Sequence, residues 1–98
     1  MEIREPAMAG TLESSDCQIV LRPNPGRGIE IDLDSAVKAM FGDSILETVK
    51  RTLAELAVTD ASVEIRDRGA LDCVIQARLQ CAVCRGAKQI YDWAKEDR

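Results

Sequence analysis

The sequence predicts an α+β fold: a two-layer sandwich in which a mainly antiparallel sheet of about four strands is covered on one face by two main helices, in the order β-β-β-α-β-α. Three observations carry this expectation. Ile29-Glu30-Ile31-Asp32-Leu33-Asp34 alternates branched apolar and acidic residues with period two, so one face of that strand needs cover and the other faces water. Asp43 to Ala57 places Ile45, Leu46, Val49, Leu53 and Leu56 on one side of a helix. Ala70 to Arg85 is a second helical run, apolar through Leu71, Val74, Ile75, Leu79, Ala82 and Val83. Half-covered strands and apolar helices bury each other's exposed faces when stacked as two layers.

Each element has local reasons. Ala7 to Glu13 and Asp16 to Arg22 read as strands joined by the polar turn Glu13-Ser14-Ser15-Asp16, which lacks the Asn-Gly or Asp-Gly pair of the tightest hairpins. Pro23-Asn24-Pro25-Gly26-Arg27-Gly28 is a loop, because proline fixes φ and removes a donor while glycine admits unusual angles. Ile29 to Asp34 is the third strand. Ser35 to Phe41 is expected as a short helix broken at Gly42, with Asp43 capping the next helix to Ala57. Ala61 to Arg66 alternates again, Asp67-Arg68-Gly69 ends it, and Gly86 is the expected stop of the last helix. Residues 1–86 are thus the expected domain and 87–98 a charged tail, docked by Tyr91 and Trp93 or offering them to a partner.

Composition narrows the function. Ninety-eight residues suit one small domain, and 46% hydrophobic with 31% charged residues supports a packed core. A net charge of −4 repels phosphate backbones and anionic surfaces, which argues against nucleic acid and membranes as partners. No apolar run approaches the roughly 20 residues that cross a bilayer, and the acidic N-terminus is unlike a secretory signal, so a cytoplasmic location is expected. The four cysteines are then read as reduced; Cys81 and Cys84 form a CxxC, but Cys17 and Cys73 are remote and there is no histidine to complete a mixed zinc site. No metal site is expected.

The absence of histidine also removes the commonest general base, and the acids sit mostly at solvent-facing positions. No catalytic residue is assigned; a carrier, adaptor or binding subunit fits better than an enzyme. Arg66-Asp67-Arg68-Gly69 before the last helix is an ordinary charged turn or an anion site, and Arg78 on that helix's apolar stripe either snorkels to solvent or reaches a phosphate or an acidic partner. Two serine positions remain. Ser44, in Asp43-Ser44-Ile45-Leu46, resembles the Asp-Ser-Leu attachment motif of phosphopantetheine carriers, but those are helical bundles with no place for the period-two runs. Ser14 and Ser15 occupy the hairpin turn, where polar residues need no function to explain them.

A second resemblance changes their weight. Pro6-Ala7-Met8-Ala9-Gly10-Thr11-Leu12-Glu13-Ser14-Ser15-Asp16, followed by Phe41-Gly42-Asp43 and by Arg68-Gly69-Ala70-Leu71-Asp72-Cys73, resembles the acyl carrier (gamma) subunit of citrate lyase over nearly the whole chain. The resemblance implies an acyl carrier domain at 1–86 and a 2′-(5″-phosphoribosyl)-3′-dephospho-coenzyme A arm joined by a phosphodiester to Ser14. The next position is often glycine in that family and is Ser15 here, which gives Ser15 a lesser claim. Implied partners are the alpha (acyl transferase) and beta (citryl lyase) subunits and a prosthetic-group transferase. Alternatives are the carriers of malonate decarboxylase or citramalate lyase, and a small non-covalent binding or regulatory module.

Overall fold

The computed structural model describes residues 1–35 and 38–88. Along the chain lie β1 (Ala7–Gly10), β2 (Cys17–Arg22), β3 (Ile29–Ser35), α1 (Lys38–Glu55), β4 (Ala61–Asp67) and α2 (Asp72–Ala87). The order is the one expected from the sequence. Tyr91, Trp93 and most of the expected tail lie outside the described residues.

The strands form one sheet in the order β1-β2-β4-β3. β1 pairs with β2, and β2 with β4, antiparallel. β3 runs parallel to β4, as a helical crossover between them permits, so the sheet is mixed with two antiparallel pairings of three. The register lines up Ala9, Ile19, Ile65 and Leu33 across all four strands, each of them buried. On the other face Met8, Val20, Glu64 and Asp32 form a row in which Met8 and Asp32 are exposed. Period two in the sequence has become a covered face and an open one.

Both helices pack on the covered face, α2 against β1 and β2, and α1 against β3 and α2. Ile45, Val49, Leu53 and Leu56 of α1 meet Ile75, Leu79, Ala82 and Val83 of α2 in a single core. Burying an aliphatic side chain of this size contributes about 1.5–3 kcal/mol. Inside α1 the buried Thr52 hydroxyl donates to the Thr48 carbonyl at 2.8 Å, which satisfies it without a distant partner.

Several boundaries differ from expectation, each for a local reason. α1 runs unbroken through Gly42, and Asp43 lies inside it and caps nothing. A mid-helix glycine costs about 1 kcal/mol, which the apolar stripe that follows outweighs; Gly42 is itself buried. Ser35 belongs to β3, where its hydroxyl donates to the buried Asp67 carboxylate at 2.7 Å. β1 ends at Gly10 and not at Glu13. Gly86 does not stop α2: its carbonyl accepts from the amides of Arg4 and Glu5, and the helix closes at Lys88 in the left-handed conformation. A Cβ at Gly86 would lie 3.1 Å from the Glu5 carbonyl, so the residue serves close packing.

Candidate functional site

At one end of the sheet three segments converge: the β1–β2 loop that holds Ser14, the C-terminal end of β3, and the turn from β4 into α2. Backbone bonds join them. The Ser15 amide donates to the Arg68 carbonyl at 2.8 Å, and the Arg68 amide to the Asp16 carbonyl at 2.9 Å. Arg68 also approaches Asp34 of β3 at 3.6 Å.

The loop departs from β1 at Gly10, whose φ of 90 is open to glycine and strained for other residues. A Cβ there would sit 1.9 Å from the Cys17 carbonyl oxygen, the same oxygen that accepts from the Thr11 amide. Glycine is therefore required where the loop begins. At the tip, the Asp16 amide donates to the Glu13 carbonyl at 3.1 Å and closes a four-residue turn. Ser15, third in that turn, has φ 64, the left-handed region that type II turns demand at this position and normally fill with glycine. Glycine after Ser14, as the sequence resemblance leads one to expect, would adopt this conformation without strain.

Below the tip, Asp16 anchors the loop to α2. Arg78 donates from Nε to Oδ1 at 3.1 Å and from a terminal nitrogen to Oδ2 at 2.9 Å, a two-point grip. The Thr11 hydroxyl donates to Asp16 Oδ2 at 2.6 Å, and the Cys17 amide to Oδ1 at 2.8 Å. Hydrogen bonds from Arg78 first, then from Thr11, carry the Asp16 pKa from 3.8 down to about 2, against a smaller opposing effect of burial. The same bond raises the pKa of Arg78. Arg78 therefore neither snorkels nor awaits an external acid; its partner lies within the chain.

Held this way, Ser14 is exposed, and its hydroxyl makes no hydrogen bond among the described residues. Ser15 is exposed as well, but its amide is tied to Arg68 and its backbone is the strained member of the turn. Ser44, the other serine singled out in the sequence, lies exposed within α1 and not at a helix start. Asp67 and Arg68 do not assemble an anion site: the Ala70 amide donates to Asp67 Oδ1 at 2.9 Å, and Asp72 supplies the negative charge in the first turn of α2. Among the described residues no group of three or more His, Cys, Asp or Glu could hold a metal ion. Burial, then the neighbouring Asp16 and Asp67, push the Cys17 thiol up to about 11, far from a reactive thiolate.

The Asp16–Arg78 pair and Gly10 escaped sequence reasoning. Both had signals: a charged residue on a helix's apolar stripe needs a partner, and a glycine ending a strand pattern marks a bend.

An exposed serine on a clamped turn is the arrangement of a scaffold that presents a hydroxyl and leaves chemistry to something attached or docked. Comparison with known proteins gives the chain's family. Residues 4–86 match an acyl carrier (ACP) family model described as malonate decarboxylase delta subunit (MdcD). The fold is similar to a chain in the crystal structure of a Pseudomonas malonate decarboxylase hetero-tetramer in complex with malonate, with a TM-score of 0.65 at 21% identity over 85% of this chain and 84% of that one. Nearer in sequence are citrate lyase acyl carrier proteins: that of Clostridium perfringens is 50% identical over 95% of this chain and 93% of its own length. That of Vibrio cholerae is 51% identical over 97% of this chain and 98% of its own. The chain belongs to the citrate lyase acyl carrier protein family.

Proposed function

We propose that this protein is the acyl carrier subunit of citrate lyase, holding acetyl and citryl thioesters on a 2′-(5″-phosphoribosyl)-3′-dephospho-coenzyme A arm joined through a phosphodiester to Ser14. The observation that carries the reading is the Ser14 hydroxyl, exposed and unbonded at the tip of a turn that Asp16 and Arg78 anchor to α2. The residues fit such a group: a bulky phosphodiester at this position displaces no hydrogen bond and meets open space. When bound, the arm supplies the thiol that bears the acyl group, so none of Cys17, Cys73, Cys81 or Cys84 is needed for chemistry.

The chain's own residues hold and present. Gly10 lets the loop leave β1, Asp16 and Thr11 fix its base, and Ser15 turns Ser14 outward. Glu13 and Asp16 serve as turn residues. Tethering confines the thioester near each partner site at an effective concentration on the order of millimolar, provided the arm reaches both. Partners are the alpha and beta subunits of the lyase complex and the transferase that loads Ser14. Residues 1–86 constitute the carrier domain and 87–98 its tail. The proposed location of the complex is the cytoplasm; separately, among the described residues no helix is long and apolar enough to cross a membrane. The matched family model keeps a malonate decarboxylase carrier as the second reading; a citramalate lyase carrier shares its chemistry.

Ser14→Ala in a reconstituted lyase complex tests the assignment. The variant folds, since Ser14 makes no contact the fold needs, and it gives no acyl loading and no citrate cleavage. Retained cleavage would overturn the reading, and assay of the parent complex on citrate, citramalate and malonate separates the three carriers.

A further inference from the structure

The same end of the molecule holds a groove of about 420 Å³ lined by Phe41, Ser44, Ile45, Gly69, Ala70, Leu71 and Asp72. It runs between α1 and the turn that leads into α2, and that turn begins at Arg68, which is hydrogen-bonded to both Ser15 and Asp16. Two of its large apolar residues are strangely placed for a fold to choose. Leu71 is the N-cap of α2, makes no side-chain cap, and is 70% exposed. Leucine at an N-cap forfeits about 1 kcal/mol relative to Ser, Asp or Asn, so the fold gains nothing from it. Phe41 is 51% exposed on α1, although the chain has only one phenylalanine to spend on its core. Together they line a concave surface that no other described residue fills.

Its chemistry selects an occupant. Among the described residues the lining offers no cation and one acid, Asp72, and so no charge partner for a phosphate. Apolar walls with the Ser44 hydroxyl and backbone groups of the 69–71 turn suit a thin, neutral chain of methylenes and amides. From Arg68 to Leu71 three residues span at most about 11 Å, less than the length of a coenzyme A derivative. We infer that this groove is the resting cradle of the arm's neutral distal portion, the pantetheine amides and the acyl thioester, with Phe41 and Leu71 covering the chain and Ser44 bonding an amide. Ser44, unsuited to attachment, then has a part in holding what Ser14 carries. The inference rests on the proposed loading of Ser14 and deepens it: between visits to the partner subunits, the thioester is shielded from water and from stray thiols.

NMR on the isotopically labelled full chain, before and after loading by the transferase, tests this with the arm itself as the probe. Intact mass first establishes whether Ser14 carries the adduct; absence of any adduct there sinks the proposed function and the cradle with it. With the adduct present, the cradle predicts shifts of the Ile45 and Leu71 methyl signals and of the Phe41 ring as well as of Ser14 and its neighbours. Leu71→Asp, at an exposed position where folding is checked by unchanged Ile19 and Ile65 signals, loads normally yet loses the loading-induced shifts of the Ile45 methyls and the Phe41 ring. Shifts confined to residues 11–16 would refute the cradle while leaving Ser14 as the anchor. Groove shifts that arise only when a partner subunit is added, loaded or not, would refute it too and assign the groove to protein docking.

Discussion

Ser15 and Gly10 show how closely backbone conformation constrains the residues around the proposed anchor. Ser15 adopts φ 64, which costs a residue with a Cβ about 1–2 kcal/mol. Ser15→Gly is expected to raise stability by about 0.5–1 kcal/mol, part of the relief being returned as chain entropy, and denaturant midpoints measure it. Gly10→Ala is the opposite case: a Cβ 1.9 Å from the Cys17 carbonyl forces the loop away from β2. A loss of about 3 kcal/mol or more, with reduced loading of Ser14, is expected. Neither effect could be read from residue types alone, because a serine pair in a turn and a glycine at a strand end each admit several backbone paths. The resemblance carried by Gly10 to Asp16 singled out Ser14; it did not reveal the clamp beneath.

Among the elements, the β1–β2 loop depends on α2 through one carboxylate. Asp16 titrates near 2 when folded and at an ordinary 3.8 when not, so the unfolded chain binds more protons in between. Its contribution to stability is complete above the ordinary value and is lost as pH falls through about 2. Arg78→Gln should move the Asp16 pKa up toward 3.8 in an NMR titration and weaken this part of the acid dependence. Loading of Ser14 should slow at neutral pH, since the turn loses its anchor. Core packing between α2 and the sheet is a separate matter: Leu79→Ala, at a site with no exposure, is expected to cost about 2–5 kcal/mol by thermal or denaturant unfolding. Periodicity identified these elements well, because alternation in Ile29 to Asp34 and the stripe from Ile45 to Leu56 are consequences of one-sided burial. It misplaced the start of α1, where Gly42 carried a local penalty that tertiary packing overrode.

For the molecule as a whole, the element order and the covered face were both implied by sequence pattern. The parallel placement of β3 beside β4 was not, since strand order depends on contacts far apart in the chain. What emerges is a small scaffold with its proposed chemistry gathered at one end of the sheet: an exposed serine, a clamped turn under it, and an apolar groove alongside. Under the proposed reading the attached arm supplies the reactive thiol and the scaffold holds and presents it. Covalent loading of Ser14 is decided by the mass of the protein isolated from the cells that make it, followed by fragmentation of the peptide spanning Gly10 to Arg22. A phosphodiester-linked coenzyme A derivative on Ser14, with Ser15 unmodified, is the expected result. A native protein active in its complex but bearing no adduct on Ser14 would contradict it.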